Sequence, residues 1–444
     1  MHLHGTSKIN AEGRLEIGGV DVQHLAAEFG TPLYIVDEAL VRQRMREYMD
    51  AFRATGIPFQ VAYASKAFCT MAMCVVAEQE GLSLDVVSGG ELHTALKAGF
   101  PAKRIHFHGN NKTPEEILLA LDAEIGCFVV DNFVELDLLD AMAGERGKRV
   151  NVLLRITPGV EAHTHDYIST GQQDSKFGFD LGGGAAFEAV KRSIAKPNLE
   201  LLGIHSHIGS QIFEVEGFRL AAAKAAEFAI KVRDELGILF QVINLGGGFG
   251  IRYTAEDKPL PIATYVNAIA DAVRTNFTAA GYPLPEIWIE PGRSIIGDAG
   301  TTLYTVGTTK EIPGIRKYVA VDGGMTDNPR PALYGSKYEA VLANRMNEPA
   351  TETVSIAGKC CESGDMLIWD IELPPVKPGD LLAVFCTGAY NYAMSSNYNR
   401  IPRPAVVFVK DGQASLVVRR ETYEDIVGND LLPERLKAAP AAKN

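Results

Sequence analysis

Between Phe59 and Arg293 one pattern recurs eight times: a short β-rich apolar run, then a longer stretch whose apolar residues return every three or four positions. The runs are FQVAYAS from Phe59, SLDVVS from Ser83, RIHFHG from Arg104, CFVVD from Cys127, VNVLLRIT from Val150, LLGIHSH from Leu201, QVINLG from Gln241 and EIWIE from Glu286. The stretches between them, such as TPEEILLALDA and FRLAAAKAAEFAIKVRDELG, read as helices with one buried face. Thr113 caps one start and Gly237 closes one end. Eight strand-then-helix units are the number that closes a parallel sheet into a (β/α)8 TIM-type barrel. An open doubly wound sheet has fewer and carries GxGxxG after its first strand, where this sequence has none.

Past Gly300 the period drops to two, in TTLYTVGTT, KYVAVDGG, TETVSIAG, DMLIWDIEL, DLLAVFCTG and AVVFVKDGQASLVVRR, with KDGQ as a hairpin turn. The expected fold is α/β: a barrel over residues 36–300, then a C-terminal antiparallel β-sandwich or barrel domain over 301–444. Residues 1–35 fit neither repeat; they are expected to pack with the C-terminal domain, LEIGG adding an edge strand to it. The tail APAAKN is expected to fray.

With 46% hydrophobic residues in 444, the chain can bury large cores. Its net charge of -12, with basic residues scattered, argues against nucleic acid or an anionic membrane and for a small-molecule substrate. The polar opening MHLHGTSKIN and the absence of a ~20-residue apolar run predict a cytoplasmic protein without a secretory leader or membrane span. The six cysteines, lacking CxxC spacing, read as reduced thiols.

In such a barrel the reactive groups stand at the C-terminal strand ends and in the loops beyond them. Lys66 follows the first strand, flanked by apolar residues. A lysine there is more often a solvated surface group, but a desolvated amine is what a Schiff base requires. After the sixth strand, HSHIGSQ places His205 and His207 on one side; packed core histidines, a metal pair lacking an obvious third ligand, and an imidazole lying against a flat heterocycle all remain open. GGGFG (Gly246, Gly247, Gly248, Gly250) follows the seventh strand and EPGRS (Glu290 to Ser294) the eighth, where this barrel commonly grips phosphate. Glu290 ends an apolar strand, a costly place for an unpaired carboxylate unless it meets a pyridine nitrogen. Lysine, phosphate loops and glutamate are together the handles that pyridoxal 5'-phosphate (PLP) offers. In the C-terminal part, Cys361 reads alone as a small buried hydrophobe, but its neighbours Glu362 and Asp365 weigh against that.

In this order, YASKAF, DVVSGGEL, HGNNK, PGVEAHTHDYISTGQQDSKFGF, HSHIGSQ, GGGFG, EPGRS, RPALYG, CESGD and GAYNYAMSSNYNRIPRP, the chain resembles the fold III group of PLP-dependent decarboxylases, nearest its diaminopimelate decarboxylase branch, from about residue 5 to about residue 410. The resemblance implies that Lys66 carries the cofactor and that His207 stacks on its ring. Ser210, Gly247, Gly248 and the backbone of Gly292 and Arg293 would hold the phosphate with the Tyr390 hydroxyl, and Glu290 the pyridine nitrogen. Asp85, Glu91 and Arg155 would stand close behind the lysine and ring. Substrate contacts would fall to Arg293, Arg330, Tyr334, Glu362 and Tyr390, the two arginines suiting a distal carboxylate and Glu362 a distal ammonium. CESGD would reach the site of a second copy in a homodimer, with Cys361 as proton donor. Lys337 and Tyr338 depart from the aromatic residue and histidine common in relatives. The reaction implied is decarboxylation of meso-2,6-diaminopimelate to L-lysine, the last step of lysine biosynthesis, with no metal. The alternatives are an ornithine, arginine or carboxynorspermidine decarboxylase, or a non-catalytic PLP-binding regulator.

Overall fold

A computed structural model describes residues 2–160 and 175–437; His163, His165 and the tail APAAKN lie outside the described residues. In chain order the first strands are β1 (Lys8–Ile9), β2 (Leu15–Ile17), β3 (Val20–Asp21), β4 (Leu33–Asp37), β5 (Phe59–Ala64), β6 (Ser83–Val86), β7 (Ile105–Phe107), β8 (Cys127–Val130), β9 (Val150–Thr157), β10 (Phe179–Asp180), β11 (Leu199–His205), β12 (Val242–Asn244) and β13 (Glu286–Ile289). Strands β5 to β9 and β11 to β13 pair in parallel around a closed ring, sealed where Ile289 of β13 meets Val61 of β5. The expected barrel is present, with all eight strand-like runs in it. The short β10 adds to β9, a pairing that no sequence signal announces.

Parallel strands between two packed layers are apolar on both faces, and alternation sorts those faces. Phe128, Val130, Leu154, Ile243 and Ile287 join the main core with the helices. Their neighbours Cys127, Val129, Leu153, Val242 and Trp288 form a separate cluster inside the ring. His106 stacks on Trp288 at 4.2 Å, and burial lowers its pKa to about 3, so it acts as a neutral plug. The helix over Pro114–Ala123 begins with a capping box between Thr113 and Glu116, and the helix over Glu216–Leu236 ends on a left-handed Gly237.

The remaining strands are β14 (Gly300–Ile312), β15 (Arg316–Val321), β16 (Ala340–Leu342), β17 (Glu352–Ala357), β18 (Met366–Leu373), β19 (Leu381–Phe385), β20 (Ala405–Lys410) and β21 (Gln413–Val418). They form a mostly antiparallel sheet ordered β18-β17-β15-β14-β4-β20-β21, with β16 and β19 added through β14. The expected KDGQ hairpin joins β20 to β21, with Asp411 and Gly412 at positive φ. The edge-strand expectation for LEIGG is corrected: Leu15–Ile17 pairs with β1 and β3 in a small sheet of its own. The early segment that enters the large sheet is β4, between β14 and β20, since LYIVD is buried on both faces and suits an interior strand. Among the described residues no helix is long and apolar enough to cross a membrane.

Candidate active site

A cavity of about 520 Å³ opens at the C-terminal ends of the barrel strands, lined by Lys66, Asp85, Arg155, His207, Ser210, Gly247, Gly248, Glu290, Gly292, Arg293, Arg330, Tyr334 and Tyr390. Barrel closure is what gathers them, because the register sets β5 Ala64 beside Asp85 and β11 His205 level with both Arg155 and Asn244.

Lys66 sits in a 3-10 turn, Ser65–Ala67, directly after β5. Its buried neighbours pin the turn: Ala64 N–H donates to the Pro291 carbonyl, and the Ala67 carbonyl accepts from Tyr390 N–H at 2.8 Å. Tyr390 is held left-handed (φ 62°), a conformation costing an aromatic residue about 1–2 kcal/mol. Lys66 is exposed, the turn standing it in the mouth of the cavity while Ser65 and Ala67 are buried.

Glu290 is buried at the floor. Its Oε2 lies 3.0 Å from His205 Nε2, its Oε1 lies 2.9 Å from His108 Nε2, and Asn244 Nδ2 donates to Oε1 at 2.6 Å. Burial alone would raise its pKa, but His108 and His205 hold it well below the usual carboxylate range. Burial lowers His205 to about 4, whereas Asp85 and Glu290 overcome the burial of His108 and raise it. Asp85, 3.8 Å from His108, is raised to about 6 by burial against the pull of His108. Glu91, which accepts from Val87 N–H at 2.7 Å, is raised to about 7 by burial. Burial also lowers the Arg155 pKa; its guanidinium lies 4.2 Å from the Phe177 ring centroid.

The two glycine turns leave backbone bare where side chains cannot fit. A Cβ on Gly247 would stand 2.2 Å from the Glu290 carbonyl oxygen, and one on Gly248 (φ 105°) 2.5 Å from that of Gly209. Gly247 N–H donates to His207 Nδ1 at 3.3 Å, and Gly292 packs on Ala64 and Ala67. A backbone cradle beside Ser210, an accessible amine and a buried anionic carboxylate in one cavity fit the phosphate, carbonyl and ring nitrogen of PLP.

Arg293 and Arg330, 7% and 6% exposed, bring two guanidinium groups to the cavity wall, where among the described residues their side-chain hydrogen-bond partners are hydroxyls and not carboxylates. Arg293 donates to Ser210 Oγ at 2.9 Å, and its Nε is buried without a hydrogen-bond partner. Tyr338, half of the noted departure, is buried and accepts from Arg330 at 2.9 Å, while the exposed Lys337 reaches Glu256 at 3.6 Å.

Cys361 and Glu362 are exposed and do not line this cavity. Their turn is tied down: Cys361 N–H donates to Asn399 Oδ1, and the buried Asp365 accepts from Cys360 and Met325 N–H at 2.8 and 2.7 Å. All six cysteines are free thiols.

Sequence reading assigned no role to His108, Asn244, Tyr253 or Phe177. His108 had a signal, standing two residues past the plug His106 at a strand end; Tyr253 had none beyond its place after the glycine turn. Among the described residues, ligand atoms of His108, His205 and Glu290 lie within 4.8 Å of one another, a group that does not include His207. His205 Nε2 is hydrogen-bonded to Glu290 Oε2, and His108 Nε2 lies at ion-pair distance from Oε1.

Residues 38–297 match the family model described as "Pyridoxal-dependent decarboxylase, pyridoxal binding domain". The chain is 64% identical to a diaminopimelate decarboxylase of Bacillus subtilis (strain 168), over 97% of this chain and 98% of that one. It is 49% identical to one of Staphylococcus aureus (strain COL), over 96% and 99%. A crystal structure of diaminopimelate decarboxylase from M. jannaschii in complex with L-lysine superposes with a TM-score of 0.92 at 38% identity, covering 97% of this chain and 99% of that one. Cavity, cradle and relatives agree, and the chain belongs to the pyridoxal-dependent decarboxylases, in the diaminopimelate decarboxylase family.

Proposed function

We propose that this chain decarboxylates meso-2,6-diaminopimelate to L-lysine and CO2, the last step of lysine biosynthesis. The observation that carries the substrate is the pair of buried guanidiniums, Arg293 and Arg330, at the wall of the cavity that holds Lys66 and Glu290. A carboxylate at the far end of the substrate satisfies both, whereas ornithine has no such group.

Bound here, PLP supplies an electron sink for the bond broken at the substrate's α-carbon. Lys66 would provide the amine that tethers the cofactor. Glu290, ionised and locked by His205, His108 and Asn244, keeps a proton on the ring nitrogen. His207 would lie against the ring, with Asp85, Glu91 and Arg155 near the lysine and ring. Ser210, Gly247, Gly248 and the backbone of Gly292 and Arg293 would grip phosphate with Tyr390, while Tyr334 and Tyr390 would contact substrate. Cys361 delivers a proton to the α-carbon and Glu362 takes the distal ammonium. Both lie outside this chain's own cavity, which supports a homodimer in which each copy completes the other's site. Free thiols and the lack of a membrane-crossing helix among the described residues support a cytoplasmic setting.

The test is product analysis after incubation with PLP and meso-diaminopimelate, beside ornithine and arginine. L-lysine and CO2 are expected from diaminopimelate, and Lys66→Ala is expected to lose cofactor absorbance and turnover together. Faster release of CO2 from ornithine, or full activity in Lys66→Ala, would overturn the reading.

A further inference from the structure

We infer that Tyr253 is a specificity-determining positioning residue: its hydroxyl holds Arg293 and Arg330 at the spacing that one carboxylate can bridge. The inference rests on the substrate reading above and extends it to a residue that does not itself line the cavity.

Tyr253 follows the glycine turn that forms the cradle, and its backbone N–H is fixed by Asp257 at 3.0 Å. Its side chain is 8% exposed and meets Tyr338 edge-on, with ring centroids 5.6 Å apart. Arg293 Nη1 and Arg330 Nη1 both converge on its hydroxyl oxygen, the latter at 3.1 Å. The guanidiniums also lie 5.7 and 5.3 Å from the Tyr253 ring centroid. A phenol oxygen has two acceptor positions, and here both go to cations.

Two like charges brought this close in a buried site repel, and among the described residues neither has a carboxylate within ion-pair distance. An anion held between the two guanidiniums would offset that repulsion. The orphaned Arg293 Nε is a second sign that a hydrogen-bond acceptor is missing from this wall. Ser210 holds Arg293 from the cradle side and Tyr338 holds Arg330 from the other, and among the described residues Tyr253 is the one hydrogen-bonded to both. Without the phenol oxygen each arginine keeps one anchor and loses the shared one.

Tyr253→Phe removes that oxygen and little volume. The experiment uses the PLP-loaded enzyme and measures KM and kcat for meso-diaminopimelate, together with calorimetric binding of L-lysine, which retains the distal carboxylate, and of cadaverine, which lacks it. A rise of about tenfold in KM and in the L-lysine Kd is expected, with kcat, cadaverine binding and cofactor affinity within about twofold. Tyr338→Phe, which of the two arginines loses a bond only to Arg330 and keeps its ring against Tyr253, should move the same two quantities less, and it carries the test if Tyr253→Phe does not fold. An unchanged L-lysine Kd, equal weakening of cadaverine, or a fall in kcat at constant KM would overturn the inference. Wild-type enzyme inactive on meso-diaminopimelate would instead overturn the substrate reading, and the L-lysine and cadaverine arms would still decide the role of Tyr253.

Discussion

Replacing Lys112 by methionine should cost the fold about 3–5 kcal/mol, because it strips the partner from a buried carboxylate. Lys112 Nζ donates to Glu135 Oε1 at 2.6 Å and to the carbonyls of Val129 and Gly109 at 2.8 and 2.9 Å. The two side chains are 1% and 5% exposed. At that separation the attraction is about 6 kcal/mol for an effective dielectric near 20, part of which offsets desolvation. Burial already raises the Glu135 pKa against the pull of Lys112, so losing the lysine raises it further. Between the unfolded value near 4.3 and this elevated folded value, the folded state binds more protons, and stability therefore falls as pH rises. The deficit should be largest near pH 8 and shrink toward pH 5. With roughly 2.1 cal/mol/K of unfolding entropy per residue, the melting temperature at pH 8 should drop by about 3–5 °C. The double variant Lys112→Met/Glu135→Gln, whose amide oxygen can still accept from Asp131 N–H, should recover most of it. Thermal melts across pH decide. A single variant within a degree of wild type, or a double variant no better at pH 8, would refute the reasoning.

Glu290→Gln keeps its shape and its Asn244 contact but loses the charge, and kcat should fall roughly 100- to 1000-fold with cofactor retained by absorbance; a fall under about fivefold would remove the carboxylate from the mechanism. Equal mixing of Lys66→Ala and Cys361→Ala proteins, each inactive, should restore about a quarter of wild-type activity, since half of the dimers are mixed and each of those carries one intact site. No restoration after subunit exchange would place Cys361 in its own chain's site.

The legible part of the site was whatever local chemistry betrays. A lysine just past a strand, glycines at the seventh and eighth strand ends and a carboxylate closing an apolar run each mark a position where backbone or charge is used unusually, and all line one cavity. Illegible from such signals were the partners. Nothing near Glu290 in the chain indicates that His108, Asn244 and His205 close around it, and Tyr253 reads as an ordinary loop aromatic. Likewise β4, which straddles the expected boundary at residues 35 and 36, completes the second sheet between β14 and β20.

The sequence by itself determined the eightfold strand-helix count, the period-two C-terminal strands and the candidate lysine, carboxylate and glycine turns. These follow from periodicity and backbone freedom, which act within a few residues of the position concerned. The tertiary structure alone decided that Lys66 stands exposed in the cavity mouth, that two guanidiniums share one phenol oxygen, and that Cys361 and Glu362 sit outside the cavity. Those facts depend on closure of the ring and on where loops far apart in the chain come to rest against it, a through-space outcome that no local pattern encodes.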